Sequence, residues 1–171
     1  TGYGCVDSDG SRHRIVVCGA IGARSTATFP QKLQAIHDGL RTVIGECRPD
    51  GVAIENLFYA TNVRSALKLG HARGVAMLAA VEAGLSIAEY TPAEIKRAVV
   101  GYGRAEKHQV AAMVQLILGL SVAPTPHDAA DALAVAICHV HSRQPEAARG
   151  RAGAGRSRAE TSWRHYKPRH P

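Results

Sequence analysis

The chain has 171 residues, 46% of them hydrophobic, and a formal net charge of +7, which is enough for one domain with a sizeable core. No apolar run approaches the length of a membrane span; residues 75–81 form a run of only seven. Four cysteines without a CxxC pair indicate buried thiols in a reducing compartment, and we expect a cytoplasmic protein with no membrane partner.

The positive charge is concentrated at the C-terminus. Residues 149–171 carry seven Lys/Arg and one acid, and residues 1–148 carry fourteen Lys/Arg and thirteen acids. We therefore predict a folded domain over residues 1–143 and a basic, disordered tail over residues 144–171. Trp163 and Tyr166 lie among the basic residues, which suits either nucleic-acid binding or a solubilising tail.

The first third of the chain is predicted to form a hairpin, a helix and a strand. Residues 1–6 and 13–21 flank the turn-forming segment Asp7-Ser-Asp9-Gly10. A helix begins at Pro30, and its apolar residues recur at helical spacing as far as Cys47. A Pro-Asp-Gly break then leads into a strand over residues 51–55.

The remaining elements are helices around one further strand. A long helix over residues 62–83 carries a ridge of small residues (Ala66, Gly70 and Gly74) that lets the sheet or a second subunit approach closely. A strand over residues 86–90 precedes the capping box Thr91-Pro-Ala-Glu94, which starts a helix that ends by Gly101. Helices follow over residues 105–118 and from the Pro124–Pro126 loop to residue 143. This alternation predicts an α/β domain with a mixed sheet.

Three carboxylates are placed where a fold ordinarily carries apolar side chains. Glu55 ends a strand, and Asp128 and Asp131 lie one turn apart on the last helix. Asp131 is the one polar residue between positions 129 and 138, so we expect it to be buried, and a buried carboxylate needs a partner, a proton or a metal. Divalent cations prefer carboxylate oxygens and can cut a phosphodiester without a protein nucleophile. We therefore predict a metal-dependent nuclease.

Each acid also has a structural explanation. Thr125 as N-cap and Pro126 at the first helical position would place Asp128 in the first turn, where the helix dipole favours an acid. Glu55 could be a solvated glutamate at a strand end. His139 and His141 are two residues apart and do not share a helix face, so we interpret both as structural or surface residues.

Several separate motifs resemble the RuvC family of Holliday junction resolvases. They are Ile54-Glu-Asn-Leu-Phe58; Asn62 with Ser65-Ala-Leu-Lys-Leu-Gly-His-Ala-Arg-Gly74; Glu94-Ile-Lys96; Val100-Gly-Tyr-Gly103 with Ala105-Glu-Lys107; and His127-Asp-Ala-Ala-Asp131. The resemblance covers residues 1–143 in collinear order.

The resemblance implies a ribonuclease H-like fold, a homodimer, and Mg²⁺-dependent cutting (with Mn²⁺ as a substitute) of two strands of like polarity at four-way DNA junctions. It also implies work alongside RuvA with RuvB, a branch-migration motor. The family's catalytic and metal-binding acids fall on Glu55, Asp128 and Asp131. Lys96 and Lys107 match residues that contact DNA phosphates, and Phe58 matches an aromatic residue at the crossover. Solvated lysines and a core phenylalanine are the structural alternatives.

One feature of the family pattern precedes the present sequence. Family members begin with a strand that ends in an Asp, followed by a Pro-Gly turn, whereas this sequence starts at Thr1. Asp7 and Asp9 cannot replace that acid because they lie at the far end of the hairpin. We interpret the start as a truncation or a late start site, and we expect residues 1–171 to cut junctions poorly.

Two rival functions remain on sequence grounds. One is a nuclease of the same fold with a different substrate, such as an RNA–DNA hybrid, since a fold does not define a substrate. The other is a nucleic-acid-binding protein that keeps the fold without the chemistry. Cleavage tests on junctions, hybrids and duplexes separate these possibilities.

Overall fold

The computed structural model describes residues 1–56 and 62–143. Four strands and five helices follow one another in these two segments. They are β1 (Gly2–Ser8), β2 (His13–Ala20), α1 (Phe29–Cys47), β3 (Gly51–Glu55), α2 (Val63–Glu82), β4 (Ser86–Tyr90), α3 (Pro92–Val100), α4 (Lys107–Ile117) and α5 (His127–Arg143). The predicted order of elements is confirmed. Phe58 and the predicted tail at residues 144–171 lie outside the described residues.

The strands form two small sheets. β1 pairs antiparallel with β2, and a register shift falls between Cys5 and Val6. β3 pairs in parallel with β4, from Gly51 opposite Ser86 to Glu55 opposite Tyr90. Both pairings of a mixed sheet are therefore present, but within the described segments they belong to separate two-stranded sheets and not to one continuous sheet.

Helix α5 connects the two sheets and contains most of the core. It contacts all four strands as well as α3 and α4. Leu133 and Ile137 are fully buried and belong to one cluster with Ile95 of α3 and Val114 of α4. Burial of such side chains contributes roughly 1.5–3 kcal/mol each, so α5 is held firmly and the side chains on its open face have defined positions.

Two glycines let β1 approach α5 closely. A Cβ atom on Gly4 would lie 2.8 Å from Cδ2 of Leu133, and one on Gly2 would overlap the carbonyl oxygen of Asp128. Because real side chains do not tolerate such distances, glycine is required at this face of β1. The first turn of α5 is thereby set directly against the strand.

Local hydrogen bonds explain where the helices begin. Thr91 and Glu94 form the predicted capping box of α3, in which the Thr91 N–H donates to Glu94 Oε2 at 2.8 Å. Helix α5 begins at His127, so Thr125 and Pro126 are not its N-cap and first residue as predicted. The Pro126 carbonyl accepts the Ala129 N–H at 2.9 Å, an i to i+3 bond across the first turn of the helix. Asp128 still lies in the first helical turn.

The hairpin turn is shorter than predicted. β1 continues to Ser8, so Asp7 is a strand residue that pairs with Arg14. The turn is closed by Asp9, whose Oδ1 accepts the N–H groups of Ser11 and Arg12 at 2.9 and 2.8 Å. Asp9 therefore has a local structural role.

No helix within the described segments is long and apolar enough to cross a membrane. All four cysteines carry free thiols, and Cys138 on α5 is buried.

Candidate active site

An open cavity of about 300 Å³ brings together residues from four elements. Glu55 enters it from the end of β3, Asp131 from α5, Lys96 from α3 and Lys107 from the start of α4. Apolar and small side chains complete its lining: Pro92, Ile95, Val110, Ala134 and Val135. The cavity therefore combines two carboxylates and two ammonium groups on a largely apolar wall.

Asp131 is paired with a lysine and not buried as predicted. Lys107 Nζ donates to Asp131 Oδ2 at 2.8 Å, and the two side chains are 66% and 44% exposed. The apolar residues around Asp131 are buried against β1, α3 and α4, but the helix leaves one face open to the cavity, and Asp131 lies on that face. The hydrogen bond to Asp131, followed by the charge of that carboxylate, raises the pKa of Lys107.

The pKa of Glu55 depends on the charges that surround it in the cavity. Burial raises the pKa of Glu55, and the nearby Asp131 carboxylate raises it further. Lys107 and Lys96 act in the opposite direction and favour the ionised form. Asp131 is thus close enough to make ionisation of Glu55 less favourable, which is the kind of repulsion that a bound cation relieves.

Asp128 is placed apart from this cavity. Its side chain is 61% exposed, and its Oδ2 lies 3.8 Å from the α-amino group of Thr1. Of the described residues, those that line the cavity do not include Asp128. In residues 1–56 and 62–143, no group of three or more His, Cys, Asp or Glu side chains is close enough to hold a metal ion. The structure therefore brings Glu55 and Asp131 together and leaves Asp128 one helical turn away.

The comparisons with known proteins agree on one family. The family model for the crossover junction endodeoxyribonuclease RuvC matches residues 1–139. RuvC of Pelobacter propionicus is 52% identical over 168 residues, which are 98% of this chain and 93% of the relative. RuvC of Syntrophotalea carbinolica is 55% identical over 141 residues, which are 82% of this chain and 87% of the relative. The chain belongs to the RuvC family of crossover junction endodeoxyribonucleases.

Solved RuvC structures share the fold. Thermus thermophilus RuvC superposes with a TM-score of 0.75 at 34% identity, over 87% of this chain and 89% of that chain. T. thermophilus RuvC in complex with a Holliday junction substrate gives the same TM-score at 32% identity and the same coverage. The predicted ribonuclease H-like fold and endonuclease class are confirmed.

RuvC nucleases depend on a divalent metal ion, and the cavity fits one. Mg²⁺ is usually held by one or two carboxylates together with substrate phosphate and water. Glu55 and Asp131 supply hard oxygen donors, and the carboxylate of Asp131 contributes to the raised pKa of Glu55. Asp128 is on the same side of α5 one turn earlier and needs a side-chain movement to join them.

Two features of this site were not predicted. The pairing of Lys107 with Asp131 joins residues 24 positions apart, and only the packing of α4 against α5 creates it. The apolar wall that includes Ile95 and Val110 is the second feature. Val110 follows Lys107 by three positions, so the helical period could have placed both on one face.

Proposed function

We propose that this chain is a Mg²⁺-dependent endonuclease, with Mn²⁺ as a substitute, that nicks two strands of like polarity at four-way DNA junctions in recombination and repair. The observation that carries the proposal is the cavity in which Glu55 and Asp131 lie beside Lys96 and Lys107. The junction substrate is supported by the solved RuvC relative in complex with a Holliday junction.

We assign Glu55, Asp131 and Asp128 as the catalytic residues that hold the cation. A bound divalent cation supplies Lewis-acid activation of water and charge neutralisation at the phosphate. Burial and Asp131 raise the pKa of Glu55, and Lys107 and Lys96 oppose that effect by favouring its ionised form. The buried core holds the α5 backbone and so sets the position of Asp131 relative to the end of β3, so we expect the adjustments on substrate binding to be made by side chains and not by the backbone.

DNA contacts are assigned to Lys96, Lys107 and Phe58. Both lysines line the cavity, where their ammonium groups can pair with phosphates on either side of the scissile bond. We propose, from the family resemblance, that Phe58 stacks on an unpaired base at the crossover. Replacing Lys96 with Ala should weaken junction binding and reduce its salt dependence by about one phosphate contact.

The substrate assignment is tested by comparing binding and cutting of a labelled four-way junction, a matched duplex and an RNA–DNA hybrid. We expect preferential binding of the junction, and metal-dependent nicks that are slow for residues 1–171 and placed symmetrically in strands of like polarity. Equal affinity for junction and duplex, or nicks confined to the hybrid, would contradict the proposal.

A homodimer follows from an apolar stripe on α2, and a second copy of this chain is the occupant we propose. Exposed residues recur along one face of the helix at helical spacing: Val63, Leu67, Gly70, Gly74, Leu78 and Val81. Among the described residues, a Cβ atom on Gly70 or Gly74 would meet nothing within 4 Å, so these two glycines do not pack against either described sheet. Two glycines on an apolar face permit close helix–helix contact, and a two-fold dimer matches the symmetry of a four-way junction.

The oligomeric state is measured by sedimentation of the parent and two charge variants. Leu67→Glu, on the stripe, should convert the dimer to a monomer. Leu116→Glu is the matched control because Leu116 is 71% exposed on α4, away from the stripe. A monomeric parent, or equal dissociation by both variants, would rule out the α2 interface.

Two further assignments rest on the family resemblance: residues 1–143 as the nuclease domain, and RuvA with RuvB as partners. From its composition and charge we also propose residues 144–171 as a basic tail. We also propose a cytoplasmic location, supported by the four free thiols. Co-sedimentation of the chain with RuvA and RuvB on a junction tests the partnership, and no co-sedimentation would contradict it.

A further inference from the structure

We propose that Lys107 is a positioning residue that holds Asp131 in the free protein and transfers to a DNA phosphate when substrate binds, which releases Asp131 for the divalent cation. The inference rests on the proposed function, because it assumes that Asp131 is a cation ligand. It adds a reason why cation binding and DNA binding should reinforce each other.

Both members of the ion pair between Lys107 and Asp131 can exchange their partner. Lys107 Nζ lies 2.8 Å from Asp131 Oδ2, yet the lysine side chain is 66% exposed and the aspartate 44%. Lys107 is the first residue of α4, so its flexible side chain starts at a helix end and reaches into the open cavity. Both partners are therefore accessible to a phosphate and to an ion from solvent.

Lys107 and a divalent cation compete for the carboxylate of Asp131. A Mg²⁺ ion sits about 2.0–2.1 Å from its oxygen ligands, and an ammonium group in contact with the same carboxylate would repel it. Binding of the ion at Asp131 therefore requires Lys107 to leave. Exposed ion pairs are individually weak, so the requirement should lower the apparent cation affinity by only about two- to fivefold.

DNA offers Lys107 a replacement anion. Once a phosphate pairs with the ammonium group, Asp131 no longer competes for it and is free for the cation. By linkage, DNA then raises the affinity for the cation by the same factor by which the cation raises the affinity for DNA.

Lys96 supplies a matched control. It lines the same cavity and acts on the charge of Glu55, but in the described part of the chain no salt bridge ties it to a carboxylate. Replacing either lysine with Met removes one positive charge from the cavity. Only the change at Lys107 also frees Asp131.

The first experiment measures Mn²⁺ binding in the absence of DNA, either by calorimetry or from the electron spin resonance signal of the free ion. We expect Lys107→Met to bind Mn²⁺ about two- to fivefold more tightly than Lys96→Met. Equal affinities of the two variants, or weaker binding by Lys107→Met, would overturn the proposal. The variant Glu55→Gln tests the cation site itself. Undiminished Mn²⁺ binding by this variant, or no Mn²⁺ binding by the parent, would refute the proposed site. Either result would do so independently of the lysine variants.

The second measurement compares junction affinity in EDTA with junction affinity in Ca²⁺, at constant ionic strength. The ratio of the two affinities reports the coupling. We expect the ratio to be about two- to fivefold smaller in Lys107→Met than in Lys96→Met. An equal ratio in both variants would mean that Lys107 does not link the two ligands, and the proposal would fail.

Discussion

The polar side chains at the two ends of α5 have different kinds of partner. At the C-terminal end, His139 Nδ1 is 2.9 Å from the Tyr90 hydroxyl group, and His141 bonds the Ala98 carbonyl at 3.1 Å and His13 at 3.2 Å. At the N-terminal end, Asp131 faces an open cavity and its partner is an exposed lysine. One end is tied into the fold, whereas the other holds a charge whose partner can be exchanged.

The difference separates structural from functional polar groups better than burial does. A carbonyl oxygen only accepts, so His141 donates its Nδ1–H to Ala98, and one N–H shared between His141 Nε2 and His13 Nε2 extends the chain of hydrogen bonds. Asp131 is instead paired with an exposed lysine and stays accessible. A site that must exchange a proton, an ion or a phosphate needs an accessible partner that can leave, as Lys107 can leave Asp131.

The largest expected effect contrasts the two ends directly. Asp131→Asn should reduce the rate of junction cutting by about a thousandfold or more, because it removes a charged cation ligand, and should leave junction binding intact. His141→Gln at the other end should cut at close to the parental rate. Rates are measured on a labelled junction at saturating protein. Comparable losses in both variants would show that the two ends do not differ in function.

A second prediction tests whether the middle of α5 holds both ends in place. Leu133 is fully buried beside Gly4 of β1. Leu133→Ala should lower the free energy of unfolding by about 3 kcal/mol, since it removes a core side chain and leaves a cavity. Urea denaturation followed by circular dichroism measures the change. A loss below about 1 kcal/mol would mean that α5 is not the centre of the core.

Local chemistry made much of the fold predictable. The Thr91–Glu94 capping box, the break before β3 and the periodic apolar face of α1 depend on residues a few positions apart, and the structure contains all three. The start of α5 was misplaced by one residue because Thr-Pro-x-Asp matches a common helix start, while the regular helix begins at His127.

The site was less predictable because it depends on contacts between distant elements. Periodicity identified α5 as a core helix, but it could not show that one narrow face opens onto a cavity, so Asp131 was expected to be buried. Nor could it show that the strands form two sheets within the described segments. The roles of Glu55, Asp128 and Asp131 as cation ligands stay predictions that the cavity supports to different degrees.

The smallest expected effect is the pH dependence contributed by the histidine end. Burial, followed by the charge of His141, lowers the pKa of His13 from its ordinary value of 6.5, and burial, followed by the charge of Arg143, lowers the pKa of His139. Both groups bind protons more weakly in the folded chain than in the unfolded one. Their contribution to stability is therefore complete above the ordinary pKa and is lost as the pH falls through the lower, folded value.

The contribution of these two histidines to the free energy of unfolding should accordingly be constant above about pH 7 and decline as the pH falls below about 6.5. The pKa of Lys107 is raised, so Lys107 stays charged throughout this range. Its titration should therefore add nothing to the decline in the free energy of unfolding. His13→Gln should make the decline shallower, because glutamine keeps a polar group near His141 but does not titrate. Urea denaturation of both proteins at several pH values measures the slopes, and parallel curves would show that the His13–His141 contact does not sense protons.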